Sequence, residues 1–203
     1  MILSLGDTVY LNLNNPNVYS ENQSLSVYQT TSEVSKPDYF ERQGNQYDVV
    51  ATLKLVKKIK NLWEAKIIEY SGVVMRGDKV TSYYPKIEEV RPFLSDRQIE
   101  GRLIGNYQAG KVYATLGDII YLNRGKSDGV QAGHVFNVMN QVDRSDKKNI
   151  LNQPVYSSGE ITVLNVNDDF ATAMVSSQKR DFQIGDFVKT KDKIDYAKSQ
   201  NLS

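Results

Sequence analysis

The chain has 203 residues, 40% of them hydrophobic, and its 25 Lys and Arg nearly cancel 24 Asp and Glu to leave a formal charge of +1. So even a balance gives no field to gather a nucleic-acid backbone or an anionic membrane, which argues against a charge-driven nucleic-acid partner. There is no cysteine, so disulfides, thiolate metal sites and cysteine nucleophiles are excluded together, and no apolar run reaches the roughly 20 residues of a transmembrane helix.

The start, Met1 to Asp7, carries neither a basic leader nor the apolar stretch of a signal peptide. It runs straight into a strand, which predicts that these residues are an internal piece of a longer protein. Strand signals then dominate, in short β-branched and aromatic runs separated by Asn, Gly, Pro or Ser. In the first half they fall at 8–13, 24–28, 49–56 and 63–68. Lys57-Lys58-Ile59-Lys60 within them is read as a solvated strand face. Arg76-Gly77-Asp78 spells an adhesion tripeptide, yet it occupies the place of a turn before a strand. Two prolines and mixed charge make 83–97 an extended connector. Residues 98–107 and 111–113 are predicted to form an extra hairpin, for which the first copy, starting too late, shows no counterpart. Strands follow at 119–123, 135–139, 160–166 and 171–175, with Asn167-Asp168-Asp169 as a turn. Residues 191–203 form a polar tail.

The chain states one pattern twice. Leu5-Gly6-Asp7-Thr8-Val9-Tyr10-Leu11-Asn12 returns as Leu116-Gly117-Asp118-Ile119-Ile120-Tyr121-Leu122-Asn123, an offset of 111 (117 − 6). Met75-Arg76-Gly77-Asp78-Lys79-Val80 returns as Gln183-Ile184-Gly185-Asp186-Phe187-Val188, an offset of 108 (185 − 77). A period this long is no solenoid repeat. The expected fold is therefore mainly β, with two tandem related antiparallel sandwich or barrel domains and little helix: a first repeat over 1–82, a connector over 83–97 and a second repeat over 98–190. Glycine at a chain reversal can take positive φ and the following Asp can accept backbone hydrogen bonds, so the Gly-Asp pairs are punctuation.

Candidate chemistry is sparse. His134 is the single histidine, and its matched position is Gln23, which favours a structural role over a catalytic base. Asp143-Arg144-Ser145-Asp146 and Asn167-Asp168-Asp169 lack the spacing of a calcium loop, and no phosphate loop or dinucleotide fingerprint occurs. No catalytic residue, metal or cofactor is expected. Tyr10 and Tyr121 recur and are assigned to the core or between sheets. Trp63, replaced by Ala171, is freer to serve a partner, and with Tyr83 and Tyr84 in the connector it forms the candidate partner-binding set.

The run from Ile120 to Val138, with Gly125, Asp128-Gly129, Gly133-His134 and Phe136 at their spacings, resembles the region that follows the LysM module in bacterial secretin-associated proteins of type IV pili. That region is itself similar to the C-terminal domain of a flagellar outer-ring protein. Gly159–Val163, Ala171–Val175 and Ile184–Val188 resemble the closing pattern, and Gly6–Tyr10 with Arg76–Asp78 is similar to the preceding repeat. The resemblance implies a periplasmic, non-enzymatic protein associated with the outer membrane or cell wall. It further implies contact with a secretin or a ring, a ring-like homo-oligomer as a possible assembly, and a hold on peptidoglycan through an upstream LysM module that is not among these residues. A flagellar outer-ring component is the alternative, and a carbohydrate-binding module or envelope hydrolase the alternative of another class. The first copy departs from the pattern at Asn14-Asn15-Pro16-Asn17, where the second carries Gly125 to Gly129.

Overall fold

A computed structural model describes residues 3–33, 44–82, 89–108, 111–140 and 156–191. Among them the protein is nearly all β. The chain divides into two compact units, the first holding the strands up to Thr81 and the second those from Glu100 onward.

The first unit is a five-stranded antiparallel sheet of β1 (Thr8–Leu11), β2 (Ser24–Glu33), β3 (Asn45–Ile59), β4 (Leu62–Tyr70) and β5 (Lys79–Thr81), in the order β1-β4-β3-β2-β5. Alternation sends one side of each strand inward. Leu25, Val27, Leu53, Leu55, Trp63, Ala65 and Ile67 build its core. The strongly periodic β3 and β4 meet through a two-residue turn in which Lys60 takes φ of 55°.

The second unit contains β6 (Glu100–Asn106), β7 (Tyr113–Ala114), β8 (Ile119–Leu122), β9 (Val135–Asn140), β10 (Tyr156–Val166), β11 (Ala171–Gln178), β12 (Phe182–Gln183) and β13 (Phe187–Thr190). Six of these close into a barrel in the order β10-β11-β8-β6-β13-β9, and β7 pairs with β12 beside it. Phe136, Leu103, Ile120, Leu122, Ile161 and Phe182 are fully buried in one cluster, each worth about 1.5–3 kcal/mol of transfer from water. Closure removes every free edge among these six strands.

Pairing registers show that the two units share one plan. Val9 opposes Ala65 as Ile120 opposes Ala173, and Leu11 opposes Trp63 as Leu122 opposes Ala171. Val27 opposes Val80 as Val138 opposes Val188. Leu53 opposes Ile67 as Ile161 opposes Val175, and both β3 and β10 carry register shifts at matched places, after Thr52 and Leu55 in one and after Glu160 and Val163 in the other. Each correspondence obeys the offsets 111 or 108 of the sequence repeat. A shift of one residue would have turned every side chain to the wrong face, so agreement at this many positions reflects a shared frame.

One expectation needs correction. Residues 98–107 do not form a hairpin with 111–113: β6 bonds to β13 on one side and β8 on the other, while β7 pairs with β12. Pairing between strands distant in sequence leaves no mark in a local pattern, which is why proximity misled. The later part of the connector bonds to the second unit. Phe93 N–H donates to Gly133 O at 2.9 Å and Ser95 N–H to Lys191 O at 3.2 Å, which stitches this stretch to the second unit.

Candidate interaction surface

The polar residues singled out by the repeat hold turns. Asp7 Oδ2 accepts the N–H of Ser4 at 2.8 Å, Asp78 that of Met75 at 2.7 Å, Asp118 that of Thr115 at 2.8 Å and Asp186 that of Gln183 at 2.8 Å. In each, the residue before the Asp is a glycine with φ between 85° and 103°, a left-handed conformation that a Cβ disfavours. Arg76-Gly77-Asp78 is one of these turns, and Asp78 also accepts Gln29 Nε2 at 2.9 Å.

His134 and Gln23 make a further matched pair. Gln23 Oε1 accepts the N–H of Ser20 at 3.1 Å, and His134 Nδ1 accepts that of Gln131 at 3.3 Å. The residues before them, Asn22 and Gly133, have φ of 66° and 96°. Gly133 N–H donates to Val163 O at 2.8 Å as Asn22 N–H donates to Leu55 O at 2.8 Å. The histidine thus fills the place of a glutamine staple. It is 4% exposed, and its ring stands edge-on to Phe93 with centroids 4.9 Å apart. Burial holds its pKa below the ordinary imidazole value, against the opposing charge of Asp96.

Asp118 does more than its counterparts. Its Oδ2 also receives Lys111 Nζ at 2.7 Å, Thr115 Oγ1 at 3.2 Å and Asn106 Nδ2 at 3.4 Å. Burial alone would raise its pKa, but the bonds from Lys111 and Thr115 outweigh that and hold the carboxyl below its usual range. The Gly125–Gly129 stretch, absent from the first copy, holds a 3₁₀ turn over Lys126–Asp128. Lys126 N–H and Ser127 N–H each donate at 2.9 Å to the carbonyls of Asn167 and Asp168. A Cβ on Gly125 would sit 2.4 Å from Asp168 O, so the closeness of this contact demands glycine. Among the described residues no group of three or more His, Asp or Glu side chains is placed to hold a metal ion, and no helix is long and apolar enough to cross a membrane.

Of the candidate partner residues, Trp63 alone lies among those described. Trp63 is 4% exposed and donates its Nε1–H to Pro16 O at 2.8 Å, so its ring is core and presents no face to a partner. Tyr83 and Tyr84 lie outside the described residues. Tyr10, assigned to the core, is 63% exposed, and Tyr121 is half-buried. Both stand on the outward side of their strands, because Val9, Leu11, Ile120 and Leu122 take the inward positions. In the basic run, Lys57 faces Glu64 at 3.7 Å and Lys58 bonds Asn17 Oδ1, a solvated face as the sequence suggested.

Residues 98–107, the segment that the repeat does not supply in the first copy, prove to be the strand that closes the second unit into a barrel. The five strands of the first unit match β8, β11, β10, β9 and β13 of the second, and nothing among the described residues corresponds to β6. Where Ile120, Leu122 and Val188 are fully buried, their counterparts Val9, Leu11 and Val80 are only half-buried. Asn123 is buried and accepts the N–H of Arg102 in β6 at 2.8 Å. Its counterpart Asn12 is exposed.

Residues 117–190 match the family model of the C-terminal domain of flagellar assembly protein T. The match begins at the Gly117 turn and ends with β13, so it covers the barrel apart from β6. It bears out the flagellar side of the resemblance seen in Ile120–Val138, for the second unit. No curated protein matches the chain.

Proposed function

We propose that this protein is a non-enzymatic scaffold of a bacterial envelope ring of the flagellar outer-ring type, located in the periplasm. The observation that carries the reading is the match of residues 117–190 to the flagellar assembly protein T domain. Turn architecture supports it, since the residues that could have suggested catalysis, His134 and the repeated aspartates, are spent on holding chain reversals. A rigid barrel that presents a constant surface suits repetition around a ring, where many weak contacts add to a strong one. Type IV pilus secretin association, with an upstream LysM module gripping peptidoglycan, is the competing form of the same scaffold role.

Deleting the coding region in its host and imaging purified flagellar basal bodies tests the reading. The expected result is loss of swimming together with loss of ring density at the outer membrane. Intact basal bodies and normal swimming, with surface motility lost instead, would overturn it in favour of the pilus form. Release of muropeptides from purified sacculi by the protein would overturn the non-enzymatic role.

A further inference from the structure

We infer that Arg91–Ser95 is a strap that the neutral imidazole of His134 fastens to the second unit and that the protonated imidazole releases. The inference stands on the packing around this one turn and does not depend on the proposed envelope role.

The strap runs beside the start of β9. Phe93 and His134 form a parallel bridge, with Phe93 N–H donating to Gly133 O at 2.9 Å and Ser95 N–H to Lys191 O at 3.2 Å. The approach is close. A Cβ on Gly133 would sit 2.6 Å from Arg91 O and 2.7 Å from the Phe93 ring, so the glycine admits the strap. Past Ser95 the chain is anchored without the histidine: fully buried Thr190 donates its Oγ1–H to Arg97 O at 2.8 Å and accepts Ile99 N–H at 2.8 Å. Peeling therefore ends at Arg97. Upstream of that anchor the strap holds by two backbone bonds and one ring, and Phe93 is still 42% exposed.

The ring it depends on is the titratable one. His134 Nδ1 accepts Gln131 N–H at 3.3 Å, which places the single proton of the neutral imidazole on Nε2. A second proton goes to Nδ1, so a donor then faces a donor, and a charge forms in a side chain only 4% exposed and stacked edge-on to Phe93. The charged ring needs water. Its far side is closed by the ladder, where Val163 N–H donates to His134 O at 2.9 Å, so lifting Phe93 is the least disruptive way to admit it. The depressed pKa of His134 agrees, because burial is its cause.

Among the described residues Asp96 is the charged group that acts on the ring, and it favours the proton without outweighing burial. The other charges on the segments packed here are directed elsewhere. Arg91 pairs with Glu89 at 3.9 Å, Arg97 lies beside Gly129, Asp128 accepts Gly125 N–H at 2.8 Å and Lys191 pairs with Glu160 at 2.6 Å. In the first unit Gln23 staples the matched turn with a side chain that cannot titrate. With the folded pKa lowered, the strap is fastened above the ordinary imidazole value and loosens as pH falls toward the folded one. Release adds the strap, about 17 Å of extended chain, to the link that joins the units.

The test is native-state amide exchange of the 203-residue protein by NMR at pH 7.5 and pH 5, expressed as protection factors. Release lowers the protection of Phe93 and Ser95 by about tenfold, while Thr190, whose N–H donates to Ile99 O, keeps its own. In H134Q the two strap amides show no such fall. F93A, which removes the ring that covers the imidazole, raises the pH at which His134 titrates, read from its C–H signals. Equal protection of Phe93 and Ser95 at both pH values, or an equal fall in H134Q, would overturn the proposal. So would a loss shared by Thr190, which marks opening of the whole unit, or a His134 titration that F93A leaves unmoved.

Discussion

His134→Gln tests the equivalence of the two units most finely, because nature has placed glutamine at the same turn in the first. Glutamine keeps an acceptor for the Gln131 N–H, so at pH 8 the variant forfeits only the edge-on contact with Phe93, worth about 0.5–1.5 kcal/mol. His134→Ala removes the acceptor as well and leaves the Gln131 N–H unmet in a small cavity, for a further loss of about 1–3 kcal/mol. The two differ again in acid. Burial depresses the folded pKa of His134, so the unfolded chain binds the proton first. Stability is complete above the ordinary imidazole value and falls as pH drops toward the folded pKa, by at most about 1.4 kcal/mol per pH unit. His134→Gln lacks this slope, so its deficit shrinks as the solution is acidified. Urea unfolding followed by the NMR amide signals of β10, at pH 8 and at steps down to pH 5, reads the second unit alone. The reasoning is refuted if His134→Gln is as damaging as His134→Ala at pH 8, or if it keeps the parent's acid slope.

Asp118→Asn should destabilise the second unit by about 1–2 kcal/mol at neutral pH, and Asp7→Asn the first by less than half as much, because Asp118 gathers four donors where Asp7 holds one; thermal unfolding monitored per unit decides it. With the folded pKa of Asp118 lowered, its contribution is present above the ordinary carboxylate range and lost as pH falls through the folded value, so Asp118→Asn should flatten the acid limb of that unit's stability curve. Gly159→Ala should cost at least about 2 kcal/mol, since its Cβ would lie 2.2 Å from Ser177 O at a φ of 153°; the matched Ala51, already bearing a Cβ, should lose only about 0.5–1 kcal/mol on change to Gly. Leu122→Ala should cost about 2–5 kcal/mol and Leu11→Ala about 1 kcal/mol, reflecting full and half burial. The first-unit values can be followed by fluorescence of Trp63, the chain's single tryptophan.

Much of this architecture was legible before any coordinates. Residues that recur at fixed offset, such as Gly6-Asp7 with Gly117-Asp118, carried both the strand order and the turn chemistry, because a turn needs positive φ and a nearby acceptor and few residue types provide them. His134 could be demoted from catalyst to staple by its match to Gln23. What stayed hidden is set by distance along the chain or by which side of a strand is covered. The pairing of β6 with β8 and β13 joins segments with no local signature, and was mistaken for a hairpin with its sequence neighbours. Alternation separates Tyr10 from Val9 and Leu11 without saying which side meets the core, and a large aromatic was wrongly sent inward while Trp63 was sent out. The repeat already showed no counterpart of residues 98–107 in the first copy, but only the pairing of β6 with β8 and β13 reveals that this segment closes a barrel.

The account rests on the claim that the two units share one sheet plan and that, among the described residues, only the second carries the strand that closes it into a barrel. Native-state amide exchange at matched positions of the unliganded protein tests it most directly. The N–H of Asn123 donates to Arg102 O and Tyr121 faces the same way, so both should be strongly protected, while Asn12 and Tyr10 should exchange nearly as fast as unstructured amides and Val9 and Ile120 should both be slow. Equal protection of Asn12 with Asn123 and of Tyr10 with Tyr121 would contradict the claim.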